Sequence, residues 1–375
     1  MHIILVFTLI IVVIFIRLSP SLKSTRGIET FWLGLIIFIF AALRSKSVGI
    51  DLERYVNNFT EIASWSVSDI LYNASGYSWS RDPFFWVFMK TLTYLSLNPQ
   101  IMIVAIAAIV AVSVSALIYR SKSDVLLCFL IFICLRYFSF TFTGLRQALA
   151  MSILFFAIKY LEKKKLVPFV VLTIVASSFH ASAFIFMIAY PVMLINKIKP
   201  IILFSMGILS ITFVFTGVIK SVTSMFSIFN NRFDIDSISR EGSSGNIIFS
   251  IYMFILFFAL IKYKKIRNFI INQDLISLSN KEDKVQWNNN ITMYYNFFII
   301  GSVFSFISIY IPSFFRIGYF FIIPSMFFVL PKIISYYQKI SGFTALKVVV
   351  IILLLFQFIV IGPGGGTEEY VFFWE

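Results

Sequence analysis

Apolar runs long enough to cross a bilayer recur from one end of this chain to the other, and nothing else in it constrains the fold as much. They fall at about 3–18, 28–43, 100–119, 125–142, 145–161, 166–179, 182–195, 201–219, 247–261, 291–311, 314–331 and 345–361. A backbone in hydrocarbon must satisfy its own polar groups, so runs of this length fold as helices. They predict an all-α polytopic membrane protein of about twelve spans, one integral membrane domain over residues 1–375. Several runs fall short of the roughly 20 residues that a straight crossing needs, so their ends must extend into flanking residues. Composition agrees: 13% of residues are charged, against roughly a quarter in a soluble domain. A cytosolic enzyme, a DNA-binding module and a disulfide scaffold are excluded. Cys128 and Cys134 share one apolar run and lack CxxC spacing.

Loop charge orients these spans. The segment 84–97 is short and carries Lys90 at its centre, which predicts a re-entrant or interfacial helix. With that segment not spanning, the Lys163-Lys164-Lys165 run, Lys197, Lys199, Lys262, Lys264 and Lys265 all fall on the inner side, as the positive-inside rule requires. Both termini are then outside. The sizeable outer loops are 44–99 and 220–246, and the polar inner loop is 262–290. A net charge of +14 does not imply nucleic acid, because the basic residues sit in short clusters between apolar runs. Lysine dominates the inner side. Arginine dominates the outer side and the spans, at Arg44, Arg54, Arg81, Arg136, Arg146, Arg232, Arg240 and Arg316. Lysine suffices for headgroups, whereas arginine presents a planar fork suited to phosphate or carboxylate.

Motifs of soluble enzymes are absent: there is no HExxH, GxSxG or Walker sequence, and two histidines make a metal site improbable. No metal and no cofactor is expected. The polar residues at outer span ends remain. Gly144 allows a tight reversal, and Arg146, with Gln147 beside it, then projects from the first turn of a descending helix. The positive end of that helix dipole favours an anion there, although an arginine snorkelling to headgroups fits the same position. Arg136 stands in the outer half of its span, where it lines an outward-opening cavity or makes an interhelical bond. His180 lies at an outer reversal as a helix cap or a base, histidine being suited to proton transfer near neutrality. Arg316 repeats the setting of Arg146 at a second outer entry, followed by Tyr319-Phe320. The first outer loop holds Trp65, Tyr72, Tyr77, Trp79 and Trp86, which read equally as an aromatic belt or as sugar-stacking rings.

These segments, in this order over about 40–335, resemble the EpsG-like branch of the Wzy-type bacterial polysaccharide polymerases. The resemblance lies in Arg44…Gly49-Ile50-Asp51…Tyr55…Phe59, in Asp82-Pro83-Phe84-Phe85, in Gly144-Leu145-Arg146-Gln147-Ala148 with Phe179-His180-Ala181-Ser182, and in Arg316 with Tyr319. Two departures stand out: Ile50 and Leu52 flank Asp51 where the family often has Thr, and Arg136 is outside the pattern. The resemblance implies an enzyme of the cytoplasmic membrane that polymerises undecaprenyl-pyrophosphate-linked oligosaccharides on its outer face. Those lipids, the bilayer and a chain-length regulator protein are the partners it implies. His180 or Asp51 would be the base. Arg146 and Arg316 would hold pyrophosphate with Arg136 deeper on the path, while Arg44, Tyr55, Gln147 and Tyr319 would bind substrate. An O-antigen ligase and a lipid-linked oligosaccharide flippase are the alternatives. Ligases tend to carry their main outer loop late in the chain, and a flippase would place charges along both sides of its path.

Overall fold

The computed structural model of the chain describes residues 2–18, 26–72, 82–195, 264–269, 281–308, 314–362, 364, 366, 367 and 369–374. These residues are helical, apart from connections and one antiparallel bridge between Arg44 and Phe372. The helices are α1 (His2–Leu18), α2 (Arg26–Ala42), α3 (Leu52–Ile62), α4 (Val67–Tyr72), α5 (Pro83–Thr93), α6 (Gln100–Ser121), α7 (Val125–Cys134) and α8 (Tyr137–Thr143). They continue with α9 (Leu145–Glu162), α10 (Leu166–Phe179), a 3-10 helix (Ala181–Ile188), α11 (Ala189–Leu194), α12 (Lys281–Ile307), α13 (Phe314–Ser341) and α14 (Leu346–Ile361). They group into two compact units, Met1–Met187 with Tyr337–Glu375, and Ile188–Tyr336.

The expected twelve spans are not what the described residues show. Two helices are long and apolar enough to cross a membrane alone, α6 and α13; α7 with α8 makes a third if that pair, bent by 52°, counts as one span. Part of the reason is length, since α1, α2, α10 and α14 run for only 14–17 residues, and part lies in breaks that apolar length does not register. Residues 125–142 read as one run, yet the helix stops at Cys134 and restarts at Tyr137, with Arg136 between them in the left-handed region at φ 64°. Residues 182–195 fold as a 3-10 turn followed by six residues of α-helix. The segments 201–219 and 247–261 and the loop 220–246 lie outside the described residues. The described residues of 44–99, expected as an outer loop, form three helices, α3 to α5. Of these, α5 has 11 residues, about 16 Å at 1.5 Å per residue, too short to span. Within 262–290, residues 264–269 and those from Lys281 onward are helical.

In the first unit, polar contacts collect at the two ends of the helices. At one end Arg17 Nε donates to Glu29 Oε1 at 2.8 Å, Lys347 pairs with Asp124, Arg120 pairs with Glu162, and Arg26 Nε donates to the Tyr119 carbonyl at 3.0 Å. Asp124 also caps α7 by accepting from the Leu127 N–H at 2.9 Å. These contacts join the ends expected inside. At the opposite ends, Gln100 Nε2 donates to the Ala42 carbonyl at 2.7 Å, and Arg136 Nε donates to the Gly362 carbonyl at 2.8 Å. The 22 residues of α6 separate its two ends by about 33 Å, close to a hydrocarbon core. Between these ends, Ile4, Phe7, Ile11 and Phe15 of α1, and Ile352, Phe356, Ile359 and Val360 of α14, are more than half exposed. Apolar stripes this long belong against lipid.

The second unit packs α11 against α12. Asn296 Nδ2 donates to the Ile195 carbonyl at 3.0 Å, and Tyr294 stacks on Phe328 of α13 with ring centroids 3.7 Å apart.

Candidate functional site

A buried ion pair organises the end of the first unit away from the basic loops. Asp82 precedes Pro83, whose fixed φ suits the first turn of α5. The aspartate is 3% exposed. Its Oδ2 accepts from Arg146 Nη1 at 2.7 Å, and its Oδ1 accepts from the Ala181 N–H at 3.0 Å. Arg146 stands in the first turn of α9, and its Nε donates to the Tyr55 hydroxyl at 3.0 Å. Tyr55 comes from the middle of α3, where Leu52, Val56, Phe59 and Ile62 bury the same face. His180 ends α10, its backbone N–H donating to the Ala176 carbonyl at 3.1 Å. Its Nδ1 lies 3.7 Å from Asp82 Oδ2 and is buried without a hydrogen bond. Tyr55, Asp82, Arg146 and His180 thus meet from four separate stretches of chain.

Aromatic rings close around the pair. Tyr55 meets Phe85 edge-on at 5.5 Å, and the Arg146 guanidinium lies 5.9 Å from the Tyr55 ring and 6.0 Å from Trp86. Such rings keep water away and strengthen every charge contact inside. Trp86 is 2% exposed, so its ring faces neither headgroups nor a bound sugar. Trp65 is half-buried, and Tyr77 and Trp79 lie outside the described residues.

The other expected site residues are distributed differently. Asp51 is half-buried at the N-cap of α3, one turn before Tyr55, and its carbonyl accepts from the Tyr55 N–H at 3.3 Å. Gln147 is buried beside Arg146 on α9. Arg44 is 1% exposed; its guanidinium lies 4.3 Å over the Phe142 ring, and Nη1 donates to the Ala41 carbonyl at 2.5 Å. Arg136 donates through its guanidinium to the carbonyls of Ile361 and Gly362, where α14 ends. That is the interhelical alternative of the sequence reading. Arg316 and Tyr319 belong to the second unit, Arg316 exposed in the first turn of α13 and Tyr319 buried. Gly144 has an ordinary φ of −87°, and a Cβ there would sit 2.7 Å from the tip of the Phe140 ring, which would have to shift to admit it.

Asp82 is the residue that sequence reasoning left without a role. Its signal was available: a carboxylate set directly before Pro83 and an apolar run. Buried in an aromatic shell, it required a cation, and the outer arginines supplied the choices.

Lipid-facing stripes, polar ends a bilayer apart and a buried charged cluster at one end define a helical membrane protein with a candidate site at one end of its first unit. The chain belongs to the EpsG family, whose family model matches residues 30–370. That family places it among the membrane proteins of polysaccharide biosynthesis. Comparison with curated proteins and with solved structures found no match.

Proposed function

We propose that this chain is a glycan polymerase that joins oligosaccharide repeat units carried on undecaprenyl pyrophosphate, at the outer face of the cytoplasmic membrane. The observation that carries the reading is the meeting of Tyr55, Asp82, Arg146 and His180 at the end away from the basic loops. The acceptor's terminal sugar hydroxyl attacks the donor's anomeric carbon. The bond from that carbon to the pyrophosphate oxygen breaks, its electron pair leaves with the lipid pyrophosphate, and the hydroxyl proton goes to His180 Nε2. Asp82 stands on the Nδ1 side of the imidazole, 3.7 Å away, where its charge stabilises the imidazolium.

Arg146 takes a different part from the pyrophosphate clamp. Two of its nitrogens are engaged by Asp82 and Tyr55, and the carboxylate balances its charge. It holds the general-base carboxylate partner and the Tyr55 hydroxyl in place. Arg316 as a pyrophosphate ligand, and Asp51 as an alternative base, rest on the family resemblance and on their sequence positions.

The test is a gel of lipid-linked or surface glycan from a deletion strain carrying each variant at matched membrane abundance. His180→Ala keeps the backbone cap and should slow polymerisation on the order of a hundredfold or more, collapsing the ladder to single repeat units. A full ladder from His180→Ala would remove the histidine from the chemistry and make Asp51→Asn the deciding variant.

A further inference from the structure

The chain beyond α14 does not run free. Its described residues within 362–374 turn back across the end of α2 and pair with the segment that leads into the site. Arg44 and Phe372 form an antiparallel bridge. The Ser45 N–H donates to the Val371 carbonyl at 2.9 Å, and the Phe373 N–H donates to the Leu43 carbonyl at 3.0 Å. Tyr370 donates to the Phe40 carbonyl. Burial pushes that phenol up to about 12, so it remains a protonated donor across physiological pH. Nearer the site, the Gly49 N–H donates to the Gly366 carbonyl at 3.0 Å. Gly366 has φ +69°, and a Cβ on it would sit 2.8 Å from Ile50 Cγ1 and 3.0 Å from the Ile50 nitrogen.

Gly49 is pressed from the other side as well. Its φ is +122°, and a Cβ there would sit 2.7 Å from the Phe142 carbonyl oxygen, in the helix that runs directly into Gly144 and Arg146. The Gly49 carbonyl accepts from the Leu52 N–H at 3.0 Å and so starts α3, and one turn on stands Tyr55, whose hydroxyl accepts from Arg146. A continuous path of backbone contacts therefore runs from Gly366 through Gly49 to both Tyr55 and Arg146.

We propose that Gly366 and the segment 369–374 act as a positioning strap for the site. By holding Gly49 against Phe142, the strap sets the height of α3, and with it where the Tyr55 hydroxyl and Asp51 stand relative to the Asp82–Arg146 pair. The functional part of this inference rests on the polymerase reading. The mechanical link from Gly366 to Tyr55 does not.

The experiment uses the full chain purified in detergent, wild type and Gly366→Val, with two readouts. Hydrogen–deuterium exchange should rise over 49–55 and 142–146 and stay unchanged over 118–127 at the opposite end. Extension of a lipid-linked acceptor at saturating substrate should slow by about tenfold, with KM within about twofold, as expected of misplaced but intact groups. Unchanged exchange over 49–55, or a uniform rise through the unit, overturns the strap as a local device. Selective loosening with an unaltered rate overturns its role in the site. Should Gly366→Val fail to reach the membrane, Phe373→Pro deletes the Phe373 N–H given to Leu43 without crowding Ile50, and the same outcomes apply. A wild-type protein that extends nothing sinks the polymerase reading, while the exchange readout still decides the mechanical link.

Discussion

A carboxylate that is 3% exposed and shut in by aromatic rings persists only where a cation and N–H donors satisfy it, and Asp82 has both. Asp82→Ala strands the Arg146 guanidinium, 17% exposed at its side chain, without its counter-charge. Breaking a buried pair from one side typically costs about 3–5 kcal/mol, so the variant should melt well below wild type in detergent. Removing both charges in Asp82→Ala with Arg146→Met should recover most of that stability while leaving the ladder collapsed. If the double variant melts no higher than Asp82→Ala, the pair is not the stabilising unit. The sequence pointed to Arg146 and His180 as a cation and a base on one side of the membrane. It could not show that Arg146 spends its charge on a carboxylate, because that contact joins positions 64 apart in the chain.

The bend between α7 and α8 gives Arg136 its task. At φ 64° it ends one helix, starts the next, and turns its guanidinium to the final carbonyls of α14. Cationic side chains at a helix C-terminus satisfy orphan carbonyls and oppose the negative end of the dipole. Arg136→Met should therefore lower stability by about 1–2 kcal/mol, read as a reduced melting temperature, while a full ladder persists at matched folded protein. A collapsed ladder at unchanged melting temperature would return Arg136 to the substrate path. This break was invisible in the chain, since apolar residues run through 125–142 on both sides of it. The short helix α5 was legible for the opposite reason: the length of the run 84–97 and Lys90 at its centre mark it as too short and too polar to cross.

Across the molecule, the alternation of basic and non-basic helix ends predicts which loops meet which side of the membrane. A periplasmic reporter fused after Asn73 should be active and one fused after Lys165 inactive, because 163–165 is a lysine run at the ends joined by Arg17, Asp124 and Lys347. Activity after Lys165 would invert the topology and put the Asp82–Arg146 cluster on the cytoplasmic face. Helical class and residence in a membrane were readable along the chain, because apolar length acts locally on each segment. Folding in three dimensions decided where helices break and which polar groups meet. The Tyr55–Arg146 contact spans 91 positions and the Asp82–Ala181 contact 99, and the choice among several outer arginines as the partner of Asp82 depends on packing that no local pattern encodes.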